Sequence, residues 1–254
     1  MIPKTVHWCW FGRGKKPPLI RKCIASWKKF LPEWTIKEWN EDNFDIHCNK
    51  YVEEAYEQKK WAFVTDYVRL YALYNEGGVY MDSDVEVLKP LDRFLDLPAF
   101  SGRESIEGCL TGTMGSEKGG RWVKDLLDDY NGRSFIKSDG SFDMTTNVER
   151  CVQIMLPFGL KFEDSEFEVP GYVKIFKQEV FCPKAYKSRE YAITENSYTV
   201  HHFAGSWHPA RYRTRVWLRE RVGDTASRAI MGLCDRPDKV IARLWRSTKR
   251  LIRH

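Results

Sequence analysis

Two carboxylates one residue apart, Asp82 and Asp84, follow the break Gly77-Gly78 and the short apolar run Val79 to Met81. On a turn both reach one hard cation, and Mg²⁺ or Mn²⁺ held by one or two carboxylates keeps positions open for phosphate oxygens. A departing pyrophosphate needs that arrangement, because its growing negative charge must be neutralised as the bond breaks. With 16 Asp in 254 residues, roughly one Asp-x-Asp arises from composition alone, so context must carry the motif. The context is a short strand running into a loop, which is where open α/β sheets bind ligands. Upstream, Asp66 and Arg69 stand three apart on one face of an otherwise apolar helix. Two charges in such surroundings pair with each other or face a ligand. Late in the chain, His201-His202 offers an imidazole, and carboxylate oxygens with one imidazole suit Mn²⁺. No Ser/His/Asp or Cys/His arrangement is legible, so no covalent nucleophile is assigned.

These residues need elements to position them. Ile2 to Trp10 reads as a buried strand, and Pro17-Pro18 opens a helix whose Leu19, Ile20, Cys23, Ile24, Trp27 and Phe30 fall on one face. Trp34 to Trp39 alternates as a strand. Asn49 to Lys60 and Trp61 to Glu76 read as helices, the second stopped by Gly77-Gly78. Val79 to Met81 and Val85 to Leu88 are short strands around the Asp-Ser-Asp turn. Arg121 to Tyr130 and Asn147 to Leu156 read as helical, and Tyr172 to Ile175, Val180 to Cys182 and Tyr198 to His201 as extended. Strands alternating with helices in the first half predict an α/β sandwich. No repeat or low-complexity stretch interrupts it.

The charge is unevenly spread. From His208 onward 13 Lys/Arg face 4 Asp/Glu, leaving 28 and 31 in the remainder, so the net +6 resides in the last fifth of the chain. The body is therefore not a nucleic-acid-binding surface. The basic stretch 211–254 interleaves Arg with Trp217, Leu218, Leu244 and Trp245, and reads equally as a membrane-surface helix or as a solvated basic face. This divides the chain into an expected catalytic domain, 1–210, and a basic helical extension, 211–254. Seven cysteines without CxxC spacing read as reduced thiols. With no leader pattern and no bilayer-length apolar run, the expected location is cytoplasmic, peripheral on the inner face of the membrane. Aromatics reach 14%, with 10 Trp and 12 Tyr, which suits stacking on bases or sugar faces.

Three stretches together resemble a known family. They are Ile2-Pro3-Lys4-Thr5-Val6-His7-Trp8-Cys9-Trp10-Phe11-Gly12, then Asp66-Tyr67-Val68-Arg69, then Gly77-Gly78-Val79-Tyr80-Met81-Asp82-Ser83-Asp84. They resemble the DXD-containing, sugar-binding-region glycosyltransferases of family 32, a group with yeast mannosyltransferases, bacterial capsule enzymes and, more distantly, glucosylating clostridial toxins. The match covers about residues 1 to 92 and resumes at His201 to Trp207. The resemblance implies a GT-A fold, a nucleotide-sugar donor (a UDP-sugar ahead of a GDP-sugar), Mn²⁺ or Mg²⁺, and retaining transfer of a hexose to a glycan or lipid-linked oligosaccharide in polysaccharide biosynthesis. By position, Trp10 resembles the aromatic that stacks on the donor base. Asp66 and Arg69 resemble the pair at ribose and sugar, and Tyr80 the tyrosine that approaches the donor. Asp82 resembles the bridging carboxylate and Asp84 the direct metal ligand. The late His-aromatic-x-Gly pattern aligns His202, in preference to His201, with the metal, and Ser206 and Trp207 with the β-phosphate under a closing lid.

Two other readings compete. A haloacid-dehalogenase-like phosphatase also places Asp-x-Asp after a strand, with Asp82 as nucleophile and Asp128-Asp129 as its late acidic pair, but Glu86 stands where Thr or Val is wanted. A non-catalytic carbohydrate-binding protein accounts for the aromatics but not for a metal cluster. Among middle-region residues, Asn147 is a candidate to orient an acceptor, or else part of a helix cap.

Overall fold

The computed structural model describes residues 1–184 and 191–205, with Thr214, Val222, Gly223 and Ala226 as isolated positions beyond. The chain divides into two compact units, Met1–Phe203 and Ala204–His254. Ser206, Trp207 and nearly all of the basic stretch lie outside the described residues.

The first unit is a mixed α/β layered structure, as the element order predicts. Its strands are β1 (Thr5–Cys9), β2 (Thr35–Trp39), β3 (Gly78–Met81), β4 (Val85–Val87), β5 (Ala99–Ser105), β6 (Gly108–Ser116), β7 (Phe167–Val169), β8 (Val173–Phe176) and β9 (Thr199–His201). The helices are α1 (Pro18–Phe30), α2 (Lys50–Glu57), α3 (Trp61–Glu76), α4 (Arg121–Asp128), α5 (Asn147–Met155) and α6 (Gln178–Phe181). Seven strands form one sheet in the order β2-β1-β3-β6-β5-β8-β7, while β4 and β9 pair separately. β1 runs parallel to β2 and β3, and β6 joins β3 antiparallel. β5 is antiparallel to β6 but parallel to β8.

Two apolar clusters cover the two faces of the sheet. One gathers Phe63, Val64, Val68 and Leu73 of α3, Trp122 of α4 and Cys151 and Met155 of α5 against Tyr80 and Met114. The other gathers Ile20, Cys23 and Trp27 of α1 and Phe181 of α6 against Val6, Trp8, Val79 and Met81. Strand alternation thus sends Tyr80 toward α3 and its neighbours Val79 and Met81 toward α1.

Two devices fix where the Asp-x-Asp turn falls. Gly77 and Gly78 adopt φ of 68° and 117°, which ends α3 and turns the chain at once into β3. A side chain at Gly78 would meet the Thr5 carbonyl at 2.6 Å, so β3 could not lie against β1. On the far side of the turn, α1 grips β4: the Trp27 indole donates to the Val85 carbonyl at 2.7 Å, and the Val87 amide donates to Ser26 Oγ at 2.9 Å.

Val180 to Cys182 is not extended. Residues Gln178–Phe181 form the short helix α6, whose Val180 and Phe181 are buried. A three-residue apolar run fits either conformation, and here Phe181 packs against Phe94, Phe100 and Phe176. No described helix is long and apolar enough to cross a membrane.

Candidate metal and donor site

The turn after β3 builds the site. Asp82 donates its amide to the Gly112 carbonyl at 2.8 Å, and its own carbonyl accepts the Val85 amide at 2.9 Å. Asp82 lies two residues beyond Tyr80, on the α3 side of the strand. The Tyr80 hydroxyl donates to Asp82 Oδ1 at 2.8 Å, and Arg69 Nη2 lies 3.3 Å from the same oxygen. Arg69 is only 5% exposed. Its Nη2 pairs with Asp66 Oδ1 at 2.9 Å, its Nη1 donates to the Thr111 carbonyl at 2.6 Å, and its guanidinium lies 4.7 Å from the Tyr80 ring centre. Burial opposes its charge, but Asp82, Tyr80 and Asp66 outweigh burial and raise its pKa.

The third arm comes from β9. The register pairs Val85 with His201 and Glu86 with Val200, and the His202 amide donates to the Asp84 carbonyl at 3.1 Å. His201 Nε2 lies 3.3 Å from Asp84 Oδ1 and 3.8 Å from Asp82 Oδ2. Ligand atoms of Asp82, Asp84 and His201 lie within 4.8 Å of one another. Burial alone would lower the His201 pKa; the Asp84 charge and hydrogen bond, then Asp82 and Glu104, override it and lift the imidazole to about 9.

The imidazole that joins the two carboxylates is therefore His201, where the motif alignment had favoured His202. Successive strand side chains point to opposite sides. His202 consequently sits on the Glu86 side, with Nε2 2.8 Å from Glu86 Oε2 and Nδ1 3.2 Å from the Tyr191 hydroxyl. Burial lowers its pKa in spite of Glu86.

Other expected site residues are engaged by their neighbours. Tyr80 is 1% exposed and donates its hydroxyl to Asp82, so it reaches the site through that carboxylate. Asp66 is 8% exposed, bound by Arg69 and by the Asn147 amide at 3.4 Å. Burial raises its pKa to about 6 against the pull of Arg69. Trp10, at the end of β1, is half-buried and donates its indole N–H to the Gly14 carbonyl at 2.7 Å. Asn147 is 2% exposed; its amide donates to the Asp66 carbonyl at 2.7 Å and accepts from the Tyr130 hydroxyl at 2.6 Å. It is thus unavailable to an acceptor. Asp128 and Asp129, the pair a phosphatase would need, are engaged by Lys124 and by Arg133 and Arg150.

One residue here has no sequence signal. Glu104 of β5 is half-buried and makes no hydrogen bond or ion pair with a described residue. Burial raises its pKa, and the charges of His201, Asp82, Arg69 and Asp84 all bear on it. It is a third acid beside Asp82 and Asp84.

The donor set fits a hard divalent cation. Two carboxylates suit Mn²⁺ or Mg²⁺, the imidazole favours Mn²⁺ of the two, and three protein ligands leave places for phosphate oxygens.

Residues 17–101 match the family described as the glycosyltransferase sugar-binding region containing a DXD motif. Inositol phosphoceramide mannosyltransferase 3 of Schizosaccharomyces pombe is 27% identical over 129 residues, which are 46% of this chain and 34% of that protein. A glycosyltransferase of Acanthamoeba polyphaga mimivirus, described as uncharacterized, is 23% identical over 154 residues, 58% of this chain and 61% of that one. The chain thus spans between a third and two thirds of the length of these relatives. Among solved structures, a glycosyltransferase involved in glycosylating the major capsid of PBCV-1 aligns with a TM-score of 0.46 at 14% identity, covering 83% of this chain and 97% of that one.

Proposed function

We propose that this chain, which carries a DXD-type glycosyltransferase sugar-binding region, is a glycosyltransferase that moves a hexose from a nucleotide diphosphate sugar to a hydroxyl of a glycan or lipid-linked acceptor. The observation that carries the proposal is the meeting of Asp82, Asp84 and His201 within 4.8 Å at the end of β3. A divalent cation held there supplies charge neutralisation for the departing nucleotide diphosphate. The protein's part is to fix the cradle. Tyr80 and Arg69 clamp Oδ1 of Asp82, so its Oδ2 is the oxygen turned toward His201. Asp66 holds Arg69 in that pose.

Retention needs no protein base in this scheme. The acceptor hydroxyl attacks the face the nucleotide leaves, and the leaving phosphate oxygen takes its proton. Trp10 is the candidate platform for the donor base, and Ser206 and Trp207 are the candidate donors to the β-phosphate. The name of the fission-yeast relative supports a hexose donor and a lipid-borne acceptor. A UDP-sugar remains the expected donor, and because that relative is a mannosyltransferase the test spans GDP-sugars as well.

The test is acceptor-free release of nucleotide diphosphate across UDP- and GDP-sugars, with Mn²⁺, with EDTA, and with Asp84→Ala. The expected result is release from one donor, abolished by EDTA and lowered at least about a hundredfold by the substitution. If no donor is hydrolysed or bound in the presence of Mn²⁺, the assignment fails.

A further inference from the structure

We infer that Gly112, in the middle of β6, is a positioning residue for the cation site: the side chain it lacks is the space in which Asp82 and His201 meet. The inference rests on the metal reading above and extends it to a residue that carries no ligand atom. A Cβ on Gly112 would lie 3.0 Å from Asp82 Oδ2, 3.1 Å from His201 Nδ1 and 3.2 Å from His201 Cε1. All three contacts are tighter than ordinary van der Waals packing, and two of the three ligands are involved at once. Backbone conformation is not what selects glycine here, since Gly112 is absent from the glycines with positive φ. Glycine inside a strand weakens it and frequently marks close approach by another group. Here the groups that approach are the ligands themselves.

The neighbours have little room to give. Asp82 is held at Oδ1 by Tyr80 and Arg69, so swinging Oδ2 away breaks one of those contacts. Its backbone N–H is tied to the Gly112 carbonyl by the 2.8 Å hydrogen bond, and the Thr111 carbonyl next door is tied to Arg69, so the strand does not back off. The His201 ring is caught between Asp84 at Nε2 and Phe203, whose ring centre is 4.2 Å away. Its Nδ1, buried and without a partner among the described residues, faces the empty Cβ position. An added methyl therefore displaces Oδ2 or the imidazole by a few tenths of an ångström. It presses the ring from the Nδ1 side toward Asp84 and narrows the cradle. Larger cations suffer more: Ca²⁺ needs oxygen distances of about 2.3–2.6 Å, Mg²⁺ about 2.0–2.1 Å.

The experiment titrates wild type and Gly112→Ala with Mn²⁺, Mg²⁺ and Ca²⁺ in the absence of nucleotide, and records thermal melting of the metal-free proteins. The expected result is Mn²⁺ affinity lower by about tenfold or more, in the range seen when support around a metal ligand is lost. The ratio of Ca²⁺ to Mg²⁺ affinity falls with it, which general destabilisation would not produce. A double-mutant cycle with His201→Ala keeps the test open if Gly112→Ala folds poorly. With the imidazole gone, adding the Gly112 methyl costs less melting temperature than it does in wild type, because only the Asp82 contact is left. Unchanged affinity and ratio in Gly112→Ala overturn the inference, as does an equal melting penalty in both backgrounds. If wild type itself binds no Mn²⁺, the metal reading fails, and the melting cycle still decides whether Gly112 makes room for His201.

Discussion

At the scale of single residues, the site works by assigning each oxygen and nitrogen one task. Asp82 shows this most plainly, with one oxygen clamped by Tyr80 and Arg69 and the other turned toward His201. His201→Ala should lower Mn²⁺ affinity by about tenfold or more, while His202→Ala, which loses its bond to Glu86, should leave that affinity within about twofold. Calorimetric or spectroscopic titration of the two variants side by side distinguishes them, and the reverse order would return the ligand to His202. The raised pKa of His201 sets a second expectation. Its folded value, about 9, lies above the ordinary 6.5. The stabilisation is thus fully present below pH 6.5 and is lost as pH rises toward 9. Metal-free protein should melt at progressively lower temperature across that interval. With Mn²⁺ present the trend should reverse, because the cation competes with the proton for the same nitrogen. A melting series at fixed ionic strength with EDTA or with Mn²⁺ reads both slopes, and parallel slopes would contradict the shared nitrogen.

At the scale of elements, the site stands where α3, β3, β6 and β9 converge, and α5 braces it from behind. Asn147 is the joint between α5 and α3, bonded to the Asp66 carbonyl and to Tyr130. Asn147→Ala leaves those buried partners unmatched and should cost about 1–3 kcal/mol in chemical denaturation, with nucleotide-sugar turnover falling through Asp66 and Arg69. A loss below about 0.5 kcal/mol would show that water takes over its bonds. The same elements explain what the sequence could tell. The helix ending at Gly77-Gly78, the strand after it and the paired carboxylates were legible because glycine punctuation and apolar periodicity agree there. β5 and β6 were not. β6 reads Gly-Cys-Leu-Thr-Gly-Thr-Met-Gly-Ser, which has the composition of a loop, and it is a strand only because its neighbours pack into the gaps its glycines leave. Gly115 accommodates the Phe100 ring, just as Gly112 accommodates the ligands. Glu104 was hidden for the same reason, since it stands on a strand that was not read. The choice between His201 and His202 depended on strand phase, and a one-residue slip of phase exchanges the two faces.

At the scale of the whole molecule, both apolar clusters lie within the first unit, Met1–Phe203, and β9 lies near its end. A fragment of residues 1–205 should therefore melt cooperatively and keep Mn²⁺ binding. It should lose most nucleotide-sugar turnover, because Ser206 and Trp207, assigned to the β-phosphate, are gone. A fragment ending at residue 197 lacks His201 and the partner of β4, and should bind Mn²⁺ more weakly by about tenfold or more. Full turnover by the 1–205 fragment would remove Ser206 and Trp207 from the mechanism. The body carries a slight acidic excess and the last fifth all the basic excess.

The clasp of β4 by β9 also orders events in time. His201 follows Asp84 by 117 residues, so a chain emerging from the ribosome displays its two carboxylates long before the imidazole that completes the cradle. Until β9 docks on β4, the growing chain holds only the two carboxylates of the turn. Synthesis thereby acts as a timer: the three side chains can meet only after almost the whole first unit has been made, and a message cut short before β9 yields a protein with the two carboxylates but without the imidazole beside them.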